Sequence, residues 1–332
     1  MRRALLFCLF AIFISSCSEP QKKVASGYTQ GTTYSVAYYS EDLNVQYQID
    51  SLLLNFDRVL STYQESSYIS KWNRNEAEES DQPRLFKEVV KRSIEIHAMS
   101  SGVFDITVSP LMKYWFENNW EATDPDSSAV DSLMGLVGMN FVAMQDGDYT
   151  KSNPLIQLDV NAIAQGYSVD VLARYLESRG IFSYLVEVGG EVRAGAPKPN
   201  GDLWAIGVDK PVDANLSRNL ALPVGLEKKS LATSGNYRKF VEVNGQKLGH
   251  TLDPTSGYPA TTDVLSSTVI ADDCMTADAL ATACMALGFE KAKSLIETEE
   301  RVEGIFIYSD GEEIKTWVSP GAEGWILKVI KE

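Results

Sequence analysis

Residues 230 to 288 constrain the fold more than any other stretch: SLATSGNYRKFVEVNGQKLGHTLDPTSGYPATTDVLSSTVIADDCMTADALATACMALG. Tyr237 to Val243 alternates as a strand does, and Asn244-Gly245 is the dipeptide of a two-residue hairpin turn. The return strand ends at His250. Asp253-Pro254 and Ser256-Gly257-Tyr258-Pro259 force turns directly afterwards, which holds that histidine at a strand end beside rigid loops, where functional side chains are commonly carried. Leu265 to Ile270 predicts a buried strand. From Thr276, ADALATACMALG predicts a helix of small residues that Gly288 stops.

Asp278 and Thr282 lie four apart on that helix and so share one face. A carboxylate and a hydroxyl are hard oxygen donors of the kind Mg²⁺ takes, one or two from protein with the rest from water and phosphate. Taken alone, such a pair more often means a polar helix face. Alanines 277, 279, 281 and 283 add that another backbone or a ligand can come close.

The N-terminus, MRRALLFCLFAIFISSC, has two arginines, an apolar run from Ala4 to Ile14 and small residues before Cys17. The run is too short to span a bilayer and predicts a secretory signal. Cys17 after Ser15-Ser16 is similar to a bacterial lipoprotein cleavage site; an ordinary cleaved signal is the alternative. Residues 1–17 are thus expected to be the signal ending at a lipidated cysteine, 18–26 a polar tether, and 27–332 the folded domain. Loss of residues 1–16 removes Arg2 and Arg3 and takes the formal charge from −15 to −17. So acidic a body disfavours nucleic acid, and a dianionic ligand would need a metal or local basic groups. Cys274 and Cys284 would be roughly 15 Å apart on one helix, too far for a disulfide.

Upstream, Tyr28 to Tyr39 predicts a strand entered through Gly31-Thr32-Thr33. Val45, Ile49, Leu52, Leu53, Phe56, Val59 and Leu60 recur at helical spacing. STYQESSYISKWNRN (61–75) is expected as a polar loop whose aromatics, Tyr63 among them, can stack on a flat ring. Pro83 to Ser100 predicts an amphipathic helix with His97 as a packing or dipole partner. GVFDITVSPLMKYWF predicts a strand followed by a helix begun at Pro110, and residues 121–153 a variable loop with one short helix. Leu155 to Val160 predicts a strand, followed by a helix capped by Asn161 and closed by Gly180, whose start offers free backbone N–H groups to phosphate. YLVEVGGEVR (184–193) reads as two strands about Gly189-Gly190, without the Gly-x-Gly-x-x-Gly fingerprint of dinucleotide-binding sheets. Leu203 to Val208, Ile305 to Tyr308 and Trp325 to Ile330 predict further strands.

QGTTYSV, FDITVSPL, LDVNAIAQGYSVD, ATSGNYRKF, GHTLDPTSGYPA and ADALATACMALG resemble, in order and spacing, the signatures of the FAD:protein FMN transferase (ApbE) family, covering about residues 27 to 288. The resemblance implies an α+β fold of largely antiparallel sheet with packed helices in two interleaved lobes. It implies FAD contacts at Gln30, Tyr63, Val103, Phe104, Asp105, Asp159, Gln165, Gly189, Gly190 and Leu252. It implies Mg²⁺ on the Ala162 carbonyl, Asp278 and Thr282, and His250 as general base. Gln30 stands where the family pattern has Met, and Gln165 where many relatives have Lys, which removes one positive charge facing the phosphates.

The implied reaction is Mg²⁺-dependent transfer of the FMN moiety of FAD to a Thr or Ser hydroxyl of an exported flavoprotein, with release of AMP. The implied acceptor is a subunit of an electron-transport complex of the sodium-pumping NADH:quinone reductase or Rnf type. The implied location is the bacterial cell envelope, on a lipid anchor facing the periplasm. A FAD pyrophosphatase and a flavin-storing lipoprotein are the alternatives.

Overall fold

The computed structural model describes residues 19–77, 82–118, 126–209, 220–235, 240–243, 246–249, 251–311 and 313–327. Its frame is an antiparallel sheet of eight strands whose spatial order follows the chain. They are β1 (Gln21–Thr29), β2 (Thr32–Ser40), β3 (Tyr184–Val188), β4 (Glu191–Ala194), β5 (Lys229–Gly235), β6 (Val264–Ala271), β7 (Glu303–Asp310) and β8 (Glu313–Val318). The turns Gln30-Gly31 (φ 49° and 73°) and Gly189-Gly190 (φ 66° and 114°) join β1 to β2 and β3 to β4. Paired positive φ values match the twist of the strands they connect, which is why such turns close hairpins.

Helices fill the long connections. Between β2 and β3 come α1 (Gln46–Leu60), α2 (Tyr68–Asn73), α3 (Arg84–Met99), α4 (Ser109–Glu117), α5 (Ser127–Met134) and α6 (Asn161–Ser178), and after β6 come α7 (Cys274–Leu287) and α8 (Phe289–Thr298). Ile49 and Leu53 of α1 and Leu172 and Leu176 of α6 pack on Val36, Val186 and Val188 of the sheet. Each such fully buried aliphatic side chain contributes about 1.5–3 kcal/mol by transfer from water. On β4 to β7, Val192, Leu231, Ile270 and Ile305 pack on Trp204 and Val224 from the hairpin of Trp204–Asp209 and Leu220–Leu226. A smaller lobe joins Leu111 and Trp115 of α4 and Val130 of α5 to Leu252, and Trp115 Nε1 donates to the Gly257 carbonyl at 2.8 Å. Segments from both halves of the chain build that lobe, so the α+β fold is interleaved.

Helix α7 is buried on nearly every side. At its start, the Asp273 carboxylate accepts from the Thr276 N–H at 2.9 Å. Asp170 of α6 accepts from the Cys274 and Met275 N–H groups and from Arg193, the last at 2.7 Å. A Cβ on Gly166 of α6 would lie 2.3 Å from the Cys274 carbonyl oxygen, so the two backbones touch there. The close approach that the alanines foretold is therefore by another helix. Cys274 and Cys284 are free and buried.

Several expected elements differ. Residues 21–26, expected as tether, belong to β1, because Gln21 to Thr29 find ladder partners in Ser40 to Thr32. The loop 61–75 turns into α2, whose Ser67 hydroxyl accepts from the Ser70 N–H, and Trp72 is buried. Val103 to Asp105 form no strand: Asp105 accepts from the Thr107 N–H at 2.7 Å and starts a single 3-10 turn, Ile106–Val108. Residues 155–160 join no ladder, since Asn73 takes both backbone groups of Leu158. Asn161 is the first helical residue of α6 and not its side-chain cap. A hairpin, Val142–Gln145 with Asp148–Lys151, lies in the region expected as loop. At the far end, Ala322–Trp325 is a 3-10 turn followed by one bridge, Ile326 to Val224; residues 328–330 of the strand expected there lie outside the described residues. Phe240–Val243 and Gln246–Gly249 pair around Asn244-Gly245 as expected. Cys17, Tyr237, Asn244, Gly245 and His250 lie outside the described residues.

Candidate active site

A cavity of about 550 Å³ opens where the last turns of α1, the Ser61–Gln64 segment, the β1–β2 turn and the first turns of α6 meet. Phe56, Leu60 and Ala164 give it apolar wall, while Gln30, Asp57, Tyr63, Asn161 and Gln165 give it polar groups. This mixture of apolar surface with a few placed polar groups characterises small-molecule sites of this size. The left-handed turn fixes Gln30, whose Nε2 is buried without a hydrogen-bond partner among the described residues. Tyr63 is 84% exposed at the rim, and its hydroxyl accepts from Asn161 Nδ2 at 3.3 Å. Burial raises the Asp57 carboxyl above its ordinary value. Gln165 lies against the β3–β4 turn: a Cβ on Gly189 would meet its Nε2 at 2.8 Å. Glycine is required there both for that contact and for the positive φ.

Immediately behind Gln165, the Gly166 N–H donates to Asp278 Oδ2 at 2.9 Å. In a regular helix that N–H belongs to the Ala162 carbonyl four residues earlier. The same donor therefore also reaches the carboxylate, next to the carbonyl expected as a metal ligand. Asp278 is buried, and desolvation pushes its carboxyl up to about 7 against the pull of that N–H. One turn further along α7, the Thr282 hydroxyl is 3.2 Å from the Ser234 hydroxyl of β5. A buried carboxylate, a hydroxyl and a helix-start carbonyl fit a small, oxygen-preferring cation. Among the described residues, no three His, Cys, Asp or Glu side chains converge as a softer metal would require.

Gln30, Tyr63 and Gln165 therefore share one cavity; Gly189 abuts Gln165, and Asp278 is one hydrogen bond behind it. Gly190 completes the turn and donates its N–H to the Glu187 carboxylate. Val103, Phe104, Asp105 and Leu252 do not line the cavity. Asp105 is taken up by Thr107 and Met139, the Phe104 carbonyl bonds His97 Nδ1 at 2.8 Å, and Leu252 packs on α4. Asp159 is two residues before the wall residue Asn161, and its carboxylate accepts the Asn161 N–H at 2.8 Å. The Ile163 and Ala164 N–H groups both reach the Val160 carbonyl, so the start of α6 offers phosphate fewer free donors than expected. Phe56, Asp57, Leu60, Gln64 and Asn161 were not foreseen as cavity wall. The helical spacing of α1 marks Phe56 and Leu60 only as apolar, and nothing in their spacing tells core from cavity.

The sheet with its helical insertions, and the site where α1, α6 and α7 converge, define the class: the ApbE family profile matches residues 30–306, and the chain belongs to that family. Among its relatives, the FAD:protein FMN transferase of Vibrio cholerae serotype O1 is 31% identical over 341 residues, covering 99% of this chain and 100% of that protein. The FAD:protein FMN transferase of Escherichia coli is 29% identical, covering 98% and 97%. The solved flavin transferase ApbE from Vibrio cholerae superposes with a TM-score of 0.81 at 30% identity, over 92% of this chain and 100% of that one. The apo flavinyl transferase ApbE from Pseudomonas stutzeri gives a TM-score of 0.81 at 29% identity, over 93% and 98%.

Proposed function

We propose that this protein is a FAD:protein FMN transferase that moves the FMN moiety of FAD onto a Ser or Thr hydroxyl of an exported flavoprotein. The observation that carries this reading is the near full-length likeness to transferases of that name. In the reaction the acceptor oxygen bonds to the FMN phosphorus, the pyrophosphate P–O bond to AMP breaks, and the hydroxyl proton passes to a base. His250 is proposed as that base, a role suited to a side chain titrating near working pH. Gln30, Gln165 and the Gly189-Gly190 turn would position the dinucleotide in the cavity, with Tyr63 at the rim. The Asp278 carboxylate, the Thr282 hydroxyl and the Ala162 carbonyl would hold Mg²⁺, which when bound offsets the charge of the pyrophosphate and of the departing AMP. The Gly166 N–H on Asp278, directly behind Gln165, supports this assignment, because it brings a cation to a cavity whose described lining includes no Lys, Arg or His.

We further propose lipidation at Cys17, which would place the domain in the cell envelope facing the periplasm. An acceptor subunit of a sodium-pumping NADH:quinone reductase or Rnf-type complex is the class that family membership suggests. The test is purified protein with FAD and Mg²⁺, with and without such a subunit. AMP and covalent flavin appearing only with the acceptor are the expected result. AMP without acceptor would make the protein a pyrophosphatase, and neither product would make it a flavin store.

A further inference from the structure

Glu191 begins β4 directly after the Gly189-Gly190 turn, and the roles assigned above do not use it. It is 9% exposed, and its Oε2 is buried with no hydrogen-bond partner among the described residues. The charges acting on it are the carboxylates of Asp278 and Glu187. No described Lys, Arg or His answers them. Arg193, two residues further along β4, is committed to Asp170 at 2.7 Å and to Glu177 at 3.4 Å. Glu187 is held by the Gly190 N–H, and Asp278 has the Gly166 N–H as its partner. A buried carboxylate oxygen is strongly disfavoured unless it is paired. A protonated carboxyl would not resolve this, since its O–H would itself need an acceptor, and Oε2 has no hydrogen-bond partner among the described residues. An unpartnered buried oxygen that feels the charge of a second buried carboxylate points to an electropositive ligand shared by the two.

We propose that Glu191 is a second carboxylate ligand, direct or through a bound water, of the divalent cation held by Asp278 and Thr282. The inference rests on the cation reading above and adds β4 to α7 as its support. Two carboxylates remain within what Mg²⁺ accepts from protein. The arrangement also couples the ion to the cavity, because the turn preceding Glu191 packs on Gln165.

Mn²⁺ is the probe, its free concentration followed by electron paramagnetic resonance in titrations of wild type, Glu191→Gln and Asp278→Ala, with melting temperatures taken in EDTA and in excess Mn²⁺. Glu191→Gln is expected to weaken Mn²⁺ binding about 10- to 100-fold, the range for loss of a group supporting a metal site. In EDTA it should melt at or above wild type, because a like charge beside Asp278 is gone, and its gain on adding Mn²⁺ should shrink. A purely structural role would lower melting equally in both conditions and overturn the proposal. Wild-type Mn²⁺ affinity in Glu191→Gln, with affinity lost in Asp278→Ala, would overturn it while leaving the cation site standing. Unchanged affinity in both variants, or no binding by wild type, would remove the cation reading itself. Should Glu191→Gln fail to fold, Glu191→Asp decides: its shorter side chain should weaken Mn²⁺ binding, and wild-type affinity there overturns the proposal.

Discussion

Gly166 shows how much a single position can carry. Its missing side chain lets α6 and α7 touch, and its N–H is the donor on Asp278. Gly166→Ala would put a Cβ 2.3 Å from a carbonyl and 2.7 Å from the Asp278 Cβ, contacts that only a helix shift can relieve. Overpacking of this kind costs about 1–3 kcal/mol, occasionally more, to be read by urea unfolding. The same variant should weaken Mn²⁺ binding, because the shift carries Asp278 with it; wild-type stability would mean that the helices can separate freely. Asp278 and Thr282 stood out in the sequence because hard oxygens four apart announce a shared face. Gly166 and Glu191 did not, since their meaning lies in a partner far along the chain.

Among the elements, those with a period were legible: α1, α3, α6 and α7 by helical recurrence or capping, the β3–β4 hairpin by its double glycine. The segment 155–160 was misjudged because its residues suit a strand while its partners are side chains. Lys151 Nζ donates to the carbonyls of Trp72, Asn73 and Ile156 at 3.0, 3.1 and 2.9 Å and lies 4.4 Å above the Trp72 ring. One ammonium thus closes α2 and pins the run into α6. Burial pushes this lysine down from 10.5 to about 8. A lowered lysine pKa means that the unfolded chain binds more protons between those values, so stability from this group rises with pH across the window and is lost as pH falls from 10.5 to about 8, with no further change below. The unfolding free energy of wild type minus that of Lys151→Met should therefore grow from pH 8 to 10.5; a flat difference would show that the amine keeps its proton in the fold.

At the scale of the whole molecule, the antiparallel character was evident from hairpin turns interspersed with helices, but the sheet order was not, since β2 and β3 flank a long insertion whose described residues carry the helices α1 to α6. The anchor belongs to this scale. Cys17→Ala should release the protein from the membrane fraction or leave its precursor unprocessed, as judged by fractionation and gel mobility; a processed, membrane-bound variant would exclude lipidation. Strand β1 begins at Gln21, so only three residues separate Cys17 from the sheet. Fully extended, the four steps from Cys17 to Gln21 reach about 14 Å. A lipid on Cys17 would leash the catalytic body against the bilayer with almost no slack, and the substrate hydroxyl would have to be presented at the membrane surface. The acceptors open to such an enzyme would be selected by height above the lipid as well as by sequence.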